Sequence, residues 1–282
     1  MTLEIDIVTL FPAMLEGPLA ASIPARILQR GLAEIRIHDL RRWGLGRHRS
    51  VDDQPYGGGA GMVIRPEPVA AALAELRRDD STVILLEPAG EPFRQARALE
   101  LAGRSHLVLL CPRYEGIDER IRAFVDLELS IGDYVLTGGE LPALVVVDAV
   151  LRLLPGAIDE ASIVEESFAD GLLEYPQYTR PADFEGRGVP AVLTGGDHGA
   201  VRRWRLREAI RRTFVRAGPA RRPGMDSLRA GAARRDPVRA RRGRRRLKDG
   251  RGGLAVGPCY TPPSVAPGDP SRTPIRSPRC PT

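Results

Sequence analysis

A glycine-punctuated stretch, Ser130–Gly139, has residue types that suit ligand binding through the main chain. Gly132, Gly138 and Gly139 can adopt backbone angles that are closed to other residues, and they let a ligand approach the backbone closely. The stretch follows a short apolar segment that predicts a buried strand. We therefore expect a ligand-lining loop at the end of that strand.

An apolar helix, Leu141–Leu154, is predicted directly after this loop. Pro142 suits its first turn, and Gly156 after a second proline suits a stop. Valine, leucine and alanine occupy nearly every side, which is typical of a helix buried in a core or against another subunit. The sequence therefore predicts a binding site built into an interface.

A second glycine-rich loop lies at Gly57–Gly61, within the polar segment 41–65. Four glycines in five residues are too many for a helix or a strand. This composition is typical of a flexible surface loop. It also suits a loop that closes over a ligand or an anionic backbone, with Arg47, His48 and Arg49 as its charged part.

The elements that position these loops predict an α/β fold with a largely parallel sheet. Three short apolar strands, 83–86, 106–111 and 127–129, each end in a loop that contains glycine or proline, and each is followed by a helix. Two earlier strands, 3–11 and 32–40, flank a helix for which Ser22 is the expected cap. Ligands of such sheets bind at the carboxyl ends of the strands, so the three loops can converge on one pocket.

A basic helix is predicted at 200–216, with Asp197 as its N-cap. Leu206, Ile210 and Phe214 share its apolar side at i, i+4 and i+8. Seven arginines and a single acid make up most of the rest. A solvated basic face would give this pattern, and so would a helix that faces RNA.

Charge distribution and hydropathy indicate how the protein can contact nucleic acid and in which compartment it is expected. The net charge is +6, but residues 217–282 hold 16 basic and 4 acidic residues, whereas residues 1–216 hold 26 basic and 32 acidic ones. Any nucleic-acid contact of the body must therefore use local patches. The chain contains no uninterrupted apolar run of about 18 residues, so the sequence predicts no membrane span. The first residues do not resemble a secretory signal. We expect a cytoplasmic protein.

The histidines and cysteines suggest no metal site or disulfide framework. Three scattered cysteines fit neither a disulfide framework nor a zinc site. His38, His106 and His198 lack metal-ligand spacing and are expected to be structural or exposed. Cys111 is expected to be a buried strand residue, and Trp204, like Phe214, a core residue.

The chain divides into four predicted parts. Residues 1–160 form a cofactor-binding and dimerisation domain, 161–169 a linker, 170–216 a small helical C-terminal domain that looks truncated, and 217–282 an Arg- and Pro-rich tail. The tail cannot bury a core and is expected to be disordered. Its abrupt start suggests a frameshifted or replaced terminus, which the intact mass of natively expressed protein would test.

Four motifs carry a resemblance to a known family: YGGGAGM, RYEGIDER, SIGDYVLTGGELPA, and YTRP followed by RRWRL. Over residues 1–216 the sequence resembles the bacterial tRNA (guanine-N1)-methyltransferases, the TrmD family. The resemblance implies a SPOUT-type parallel sheet with a trefoil knot at the cofactor site, and an obligate homodimer. It also implies methyl transfer from S-adenosyl-L-methionine to N1 of guanine 37 in tRNA, next to the anticodon, without a metal.

The resemblance assigns three cofactor loops and two catalytic residues. Glu115 matches an acid of the family's pocket, and its type also suits a helix cap. Arg152 matches the family's essential arginine, and Glu166 stands where the family usually has an aspartate as general base. The implied cofactor-binding residues are Leu86, Pro88, Gly90, Pro112 (usually a glycine), Tyr114, Glu115, Gly116, Ser130, Ile131, Gly132, Asp133, Tyr134, Val135, Leu136, Gly138 and Gly139. The resemblance also makes 170–216 a tRNA-binding domain, and the expected RNA contacts are Gly58, Gly59, Arg180, Arg203 and Arg205.

The implied chemistry explains these residue types. Guanine N1 carries a proton at neutral pH, and a carboxylate such as Glu166 can accept it. Negative charge then builds toward O6, where the guanidinium of Arg152 can stabilise it. Glu165 and Asp170 are rival bases. Two other functions remain open: a tRNA-binding homologue with weak or no catalysis, and a SPOUT methyltransferase that acts on another RNA.

Overall fold

A computed structural model describes residues 2–159, 166–168 and 171–217. The predictions for the tail fall outside these residues except at Ala217, and most of the predicted linker falls outside them too. The two rival bases, Glu165 and Asp170, also lie outside the described residues. The domain boundaries therefore stay predictions.

A five-stranded parallel sheet forms the centre of the protein, which confirms the predicted α/β fold. Its strands lie in the order β2-β1-β6-β5-β7. Their bounds are β1 Leu3–Thr9, β2 Ala33–Asp39, β5 Ser81–Pro92, β6 His106–Leu110 and β7 Leu127–Ser130. Two short strands of the polar segment, β3 Asp52–Asp53 and β4 Val63–Ile64, form a separate antiparallel pair.

Helices cover both faces of the sheet. The bounds are α1 Ala13–Leu19, α2 Ser22–Gln29, α3 Pro66–Leu76, α4 Gln95–Ala102 and α5 Glu140–Leu151, with 3-10 helices at Leu40–Trp43 and Glu119–Phe124. One core lies between the sheet and α1, α2, α4 and α5, and the other lies between the sheet and α3 with the 3-10 helices. Alternate strand residues such as Ile7 and Val8 enter opposite cores, as the strand period requires.

Several predicted details are wrong. β5 does not end at Leu86, because it continues to Pro92 after a register shift against β7. Ser22 is the first residue of α2, with a φ of +53°, and not its cap. The segment before Val125 folds as a 3-10 helix. These features depend on contacts with neighbouring strands and loops, which local pattern does not encode.

Helix α5 packs against the sheet on one side, and part of its other side is exposed in the single chain. Its predicted burial against another subunit stays a prediction. Val146, Val147 and Val150 are fully buried against the sheet. Leu141 and Val145 are 47% and 45% exposed. They begin a stripe at i, i+4, i+7 and i+11 that continues through the exposed Asp148 to Arg152. In the described chain, the stripe therefore exposes an apolar patch, Leu141 and Val145, that is followed by the charged Asp148 and Arg152.

The described C-terminal part contains a two-stranded hairpin and two helices. They are β8 Asp183–Phe184, β9 Arg187–Gly188, α6 Ala191–Thr194 and α7 His198–Ala217. The predicted cap is confirmed, because the Ala200 amide donates to Asp197 Oδ1 at 3.0 Å.

The predicted apolar side of α7 is not the side that packs. Leu206, Ile210 and Phe214 are 56%, 38% and 53% exposed, so the prediction that Phe214 is a core residue is wrong. The neighbouring segment 173–178 contacts another face of α7, where Thr213 Oγ1 accepts from the Leu173 amide at 2.8 Å. No described element covers the Leu206 side. Among the described residues, no helix is long and apolar enough to cross a membrane.

Candidate active site

The irregular part of β5 around Leu86–Pro88 and the loops after β6 and β7 converge on one pocket of about 250 Å³. The sequence predicts this convergence, although it places the first of the three segments in a loop and not within a strand. Of the residues assigned to the cofactor, those in its wall are Leu86, Pro88, Pro112, Tyr114, Glu115, Gly116, Ser130, Ile131, Gly132, Tyr134, Val135, Leu136 and Gly138. Gly90, Asp133 and Gly139 are not among the described lining residues. Five others complete the wall: Glu87, Arg113, Leu129, Thr137 and Pro142.

Close packing of two loops explains why glycine stands at Gly139. A Cβ built on Gly139 would lie 2.6 Å from the Cα of Cys111, so no side chain fits there. The Gly139 amide donates to the Pro112 carbonyl at 2.8 Å. Gly90 is equally restricted, because its Cβ would lie 2.5 Å from the Leu129 amide nitrogen. These two glycines therefore let the loops approach one another and contribute to the pocket indirectly.

A buried ion pair lies beneath the pocket, and the sequence reasoning missed it. Glu140, the first residue of α5, is fully buried and lies 2.9 Å from Nε of Arg113. Thr9 also donates to Glu140 at 2.7 Å, and Arg113 donates to the Thr137 carbonyl at 3.1 Å. The pair therefore ties the loop after β6 to the loop after β7. A glutamate in the first turn also faces the positive end of the helix dipole.

Cys111, which directly follows β6, is not suited to act as a nucleophile. Its side chain is buried, as predicted. Burial raises the pKa of the Cys111 thiol well above its usual value, and the nearby charge of Glu140 adds to the shift. A thiol held neutral in this way is a poor nucleophile.

The end of the second glycine-rich loop, at Gly61 and Met62, contacts Glu115 of the pocket wall. The Glu115 amide donates to the Met62 carbonyl at 3.0 Å. Gly61 has a φ of +86°, and a Cβ built on it would lie 2.4 Å from Oε1 of Glu115. The loop 57–61 is thus anchored at its end against an acid of the pocket wall. Gly58 and Gly59, two expected RNA contacts, are exposed and also have positive φ.

Tyr114 holds an unusual backbone conformation in the pocket wall. Its φ is +60°, and its side chain is 48% exposed. Non-glycine residues rarely adopt this conformation, and they do so mostly where surrounding structure imposes it. The neighbouring amide of Gly116 closes the turn by donating to the Arg113 carbonyl at 3.0 Å.

Glu87 of the pocket wall belongs to a cluster of charges around Arg122. Arg122 donates to Glu87 at 2.9 Å and also binds Glu128 and Glu119. Burial raises the pKa of Glu87, and the hydrogen bond from Arg122 opposes this. Glu87 lies within the predicted loop, but the sequence did not predict that Glu87 and Glu128 would both pair with Arg122.

The two expected catalytic residues are brought together as an ion pair. Arg152 follows the last turn of α5, and one of its terminal nitrogens donates to Oε1 of Glu166. The hydrogen bond with Glu166 raises the pKa of Arg152, and the charge of Glu166 adds to that effect. Both side chains are partly exposed. Neither is among the described residues that line the pocket.

The expected RNA contacts of the C-terminal part differ in exposure. Arg180 and Arg203 are exposed. Arg205 is half-buried, with its guanidinium 4.6 Å from the ring centroid of Tyr175. Within the described ranges, no group of three or more His, Cys, Asp or Glu side chains is arranged to hold a metal ion.

Comparisons with known proteins agree with this geometry. The family model for tRNA (Guanine-1)-methyltransferase TrmD matches residues 3–220. A tRNA (guanine-N(1)-)-methyltransferase of Dictyoglomus turgidum is 54% identical over 215 residues, 76% of this chain and 88% of the relative. Relatives of the same name from Chloroflexus aurantiacus and Geobacillus kaustophilus are 59% and 52% identical over 218 residues, 76% of this chain and 86% and 89% of theirs. The chain therefore belongs to the tRNA (guanine-1)-methyltransferase family, TrmD.

Proposed function

We propose that this protein is a tRNA (guanine-N1)-methyltransferase that uses S-adenosyl-L-methionine and modifies guanine 37, next to the anticodon. The observation that carries the proposal is the convergence of three family-matched loops on one pocket, within a chain that belongs to the family over residues 3–220. A cytoplasmic location follows from such a substrate.

The pocket suits the proposed methyl donor. Its wall from Ser130 to Gly138 offers backbone amides and carbonyls. Gly132 and Gly138 let Tyr134 and Arg113 pack against this loop, because a built Cβ would lie 2.5 Å and 2.3 Å from those side chains. Leu86, Leu136 and Pro142 provide apolar surface for an adenine ring. Glu115 provides a carboxylate for the positive ammonium or sulfonium end. When bound, the donor supplies an electrophilic methyl group.

Glu166 and Arg152 are suited to the proton transfer that guanine requires. Glu166 accepts the N1 proton, and the charge that develops toward O6 is stabilised by Arg152. A guanidinium has five N–H donors, so Arg152 can hold Glu166 with one edge and face the base with another. Their pairing also orients the carboxylate before the base arrives, which matters because misplacement by about 1 Å can cost about 10²-fold in rate.

A homodimer explains how this pair meets the pocket. Arg152 ends the open stripe of α5 that begins with Leu141 and Val145. If this stripe packs against a second copy, the ion pair lies at the edge of the interface, where it can face the pocket of the partner. An exposed apolar patch such as Leu141 and Val145, on a helix that is otherwise buried, is typical of such a surface.

The trefoil knot and the helical C-terminal domain of the family belong to the same proposal. Close interleaving of the loops after β6 and β7, through Gly139 and Arg113, is compatible with a knotted chain. The arginine-rich helix α7 offers the charge that a tRNA backbone would need.

The proposal is tested by methyl transfer to two tRNA transcripts. One transcript carries guanine at position 37 and the other carries adenine there. We expect labelled methyl to enter only the first, and mass spectrometry of its digest to find 1-methylguanine. A protein that binds both transcripts without transfer would be the inactive homologue, and transfer to both would indicate another target.

A further inference from the structure

A groove in the C-terminal part has no role in the chemistry described so far. It has a volume of about 440 Å³ and lies between the segment 175–182 and helix α7. Three aromatic side chains, Tyr175, Tyr178 and Trp204, share its wall with Arg180 and Arg205.

Tyr178 and Trp204 form a tilted aromatic contact that leaves ring surface open to the groove. The rings of Tyr178 and Trp204 have centroids 6.2 Å apart and are tilted by 56°, so they do not stack on each other. Tyr178 is 48% exposed, and Trp204 is half-buried instead of lying in a core as the sequence predicts. Parts of both rings therefore face the groove.

The groove is held in shape by contacts outside the aromatic pair. The Arg205 guanidinium covers the ring of Tyr175 at 4.6 Å. Arg212 of α7 donates to the Glu174 carbonyl at 2.9 Å, at the start of the segment that forms the wall. A binding surface that is already formed loses less entropy when its ligand arrives.

The charge around the groove favours an anionic ligand. Arg180 lies in the wall and is exposed. Along α7 the exposed arginines are Arg202, Arg203, Arg207, Arg211, Arg212 and Arg216. Aromatic faces next to arginines are the combination by which proteins bind unpaired nucleotides, with the base stacked and the phosphate paired. An acidic peptide would use the arginines but would leave the aromatic faces without a partner.

We propose that this groove binds one unpaired nucleotide of the substrate RNA. The base stacks on the exposed ring of Tyr178, next to Trp204, and Arg180 binds its phosphate. This proposal rests on the proposed function, because it takes the RNA to be the tRNA substrate. It adds a second recognition point that reads a single-stranded feature outside the pocket where methyl transfer occurs.

Tryptophan fluorescence offers a direct test, because the chain has two tryptophans, Trp43 and Trp204. In a Trp43→Phe variant the signal comes from Trp204 alone. We expect tRNA to quench this fluorescence because the base binds next to Trp204, and a blunt-ended RNA duplex without unpaired nucleotides to leave it nearly unchanged. Equal quenching by the duplex, or none by tRNA that binds, would overturn the proposal.

Substitutions separate stacking from charge. Tyr178→Ala should weaken tRNA binding by roughly 5- to 100-fold, the range that stacking of one base gives, and Tyr178→Phe should bind like the wild type. Phe184→Ala is the matched control, because Phe184 is 61% exposed and lies outside the described groove wall. Arg180→Ala should lower the slope of binding against salt by about one.

Thermal unfolding and S-adenosylmethionine affinity check that each variant is folded. Should Tyr178→Ala not fold, Tyr178→Leu replaces it. Unchanged tRNA affinity in the folded Tyr178 variant overturns the groove proposal while methyl transfer by the wild type continues. Absence of both tRNA binding and methyl transfer in the wild type overturns the proposed function, and the groove proposal with it.

Discussion

Gly132 is the residue where a side chain would disturb the pocket most directly. Its φ is +150°, and a Cβ built there would lie 2.5 Å from a ring carbon of Tyr134, another wall residue. We expect Gly132→Val to abolish S-adenosylmethionine binding in calorimetry while the circular dichroism spectrum stays native. Gly188→Val is the control, since no described atom lies within 4 Å of its built Cβ. Unchanged affinity of the Gly132 variant would refute the assignment of this loop.

Asp6 makes the protein sensitive to acid. Burial alone would raise the pKa of Asp6, but hydrogen bonds with Arg36, His38 and His106 hold it at about 2, below its usual 3.8. A depressed pKa contributes stability that is present above about pH 4 and is lost as the pH falls toward 2. The shift corresponds to roughly 2 kcal/mol.

Urea unfolding between pH 5 and pH 2 measures this contribution. The wild type should lose more stability over that range than Asp6→Asn, whose side chain does not titrate. Asp79→Asn is the control, because Asp79 is exposed and lies outside the hydrogen-bond network of Asp6. If the free energy of unfolding falls equally with pH in the wild type and in Asp6→Asn, the network around Asp6 does not cause the sensitivity to acid.

At the scale of elements, the sequence predicted the parallel sheet and the three convergent loops because apolar runs and their glycine or proline ends are local signals. It did not predict the Arg113–Glu140 pair, whose members lie 27 residues apart. It also misassigned the apolar side of α7, because periodicity identifies an apolar stripe but not whether a neighbour covers it. Burial of Leu206 depends on the rest of the fold.

Helix α5 carries the prediction that belongs to this scale. Glutamates at Leu141 and Val145 would place two charges in the proposed dimer interface, where burial of unpaired charge is costly. We expect the double variant Leu141→Glu/Val145→Glu to be monomeric in light scattering at micromolar concentration, and the wild type to be a dimer. Leu99→Glu on α4 is the control, because Leu99 is 54% exposed on another helix. A monomeric wild type would contradict the proposed interface.

At the scale of the whole molecule, the account requires each site to combine two copies. A Gly132→Val chain lacks a working cofactor loop, and a Glu166→Gln chain lacks the base. If the pocket of one copy works with Glu166 of the other, refolding the two inactive variants together should restore part of the methyl transfer. Variants refolded separately and then mixed briefly are the control. No recovery in dimers shown to be mixed would place pocket and base in one chain.

The most direct test of the central claim is the rate of single-turnover methyl transfer by Glu166→Gln. This variant keeps the size of the side chain and removes the charge that accepts the N1 proton. We predict a fall of about 10²–10⁴-fold, with cofactor affinity nearly unchanged. Glu75→Gln is the control and should react like the wild type. Glu75 lies on α3, pairs with Arg42 and is outside the described pocket wall. A Glu166→Gln rate within a few-fold of the wild type, together with an inactive Asp170→Asn, would contradict the account and make Asp170 the base.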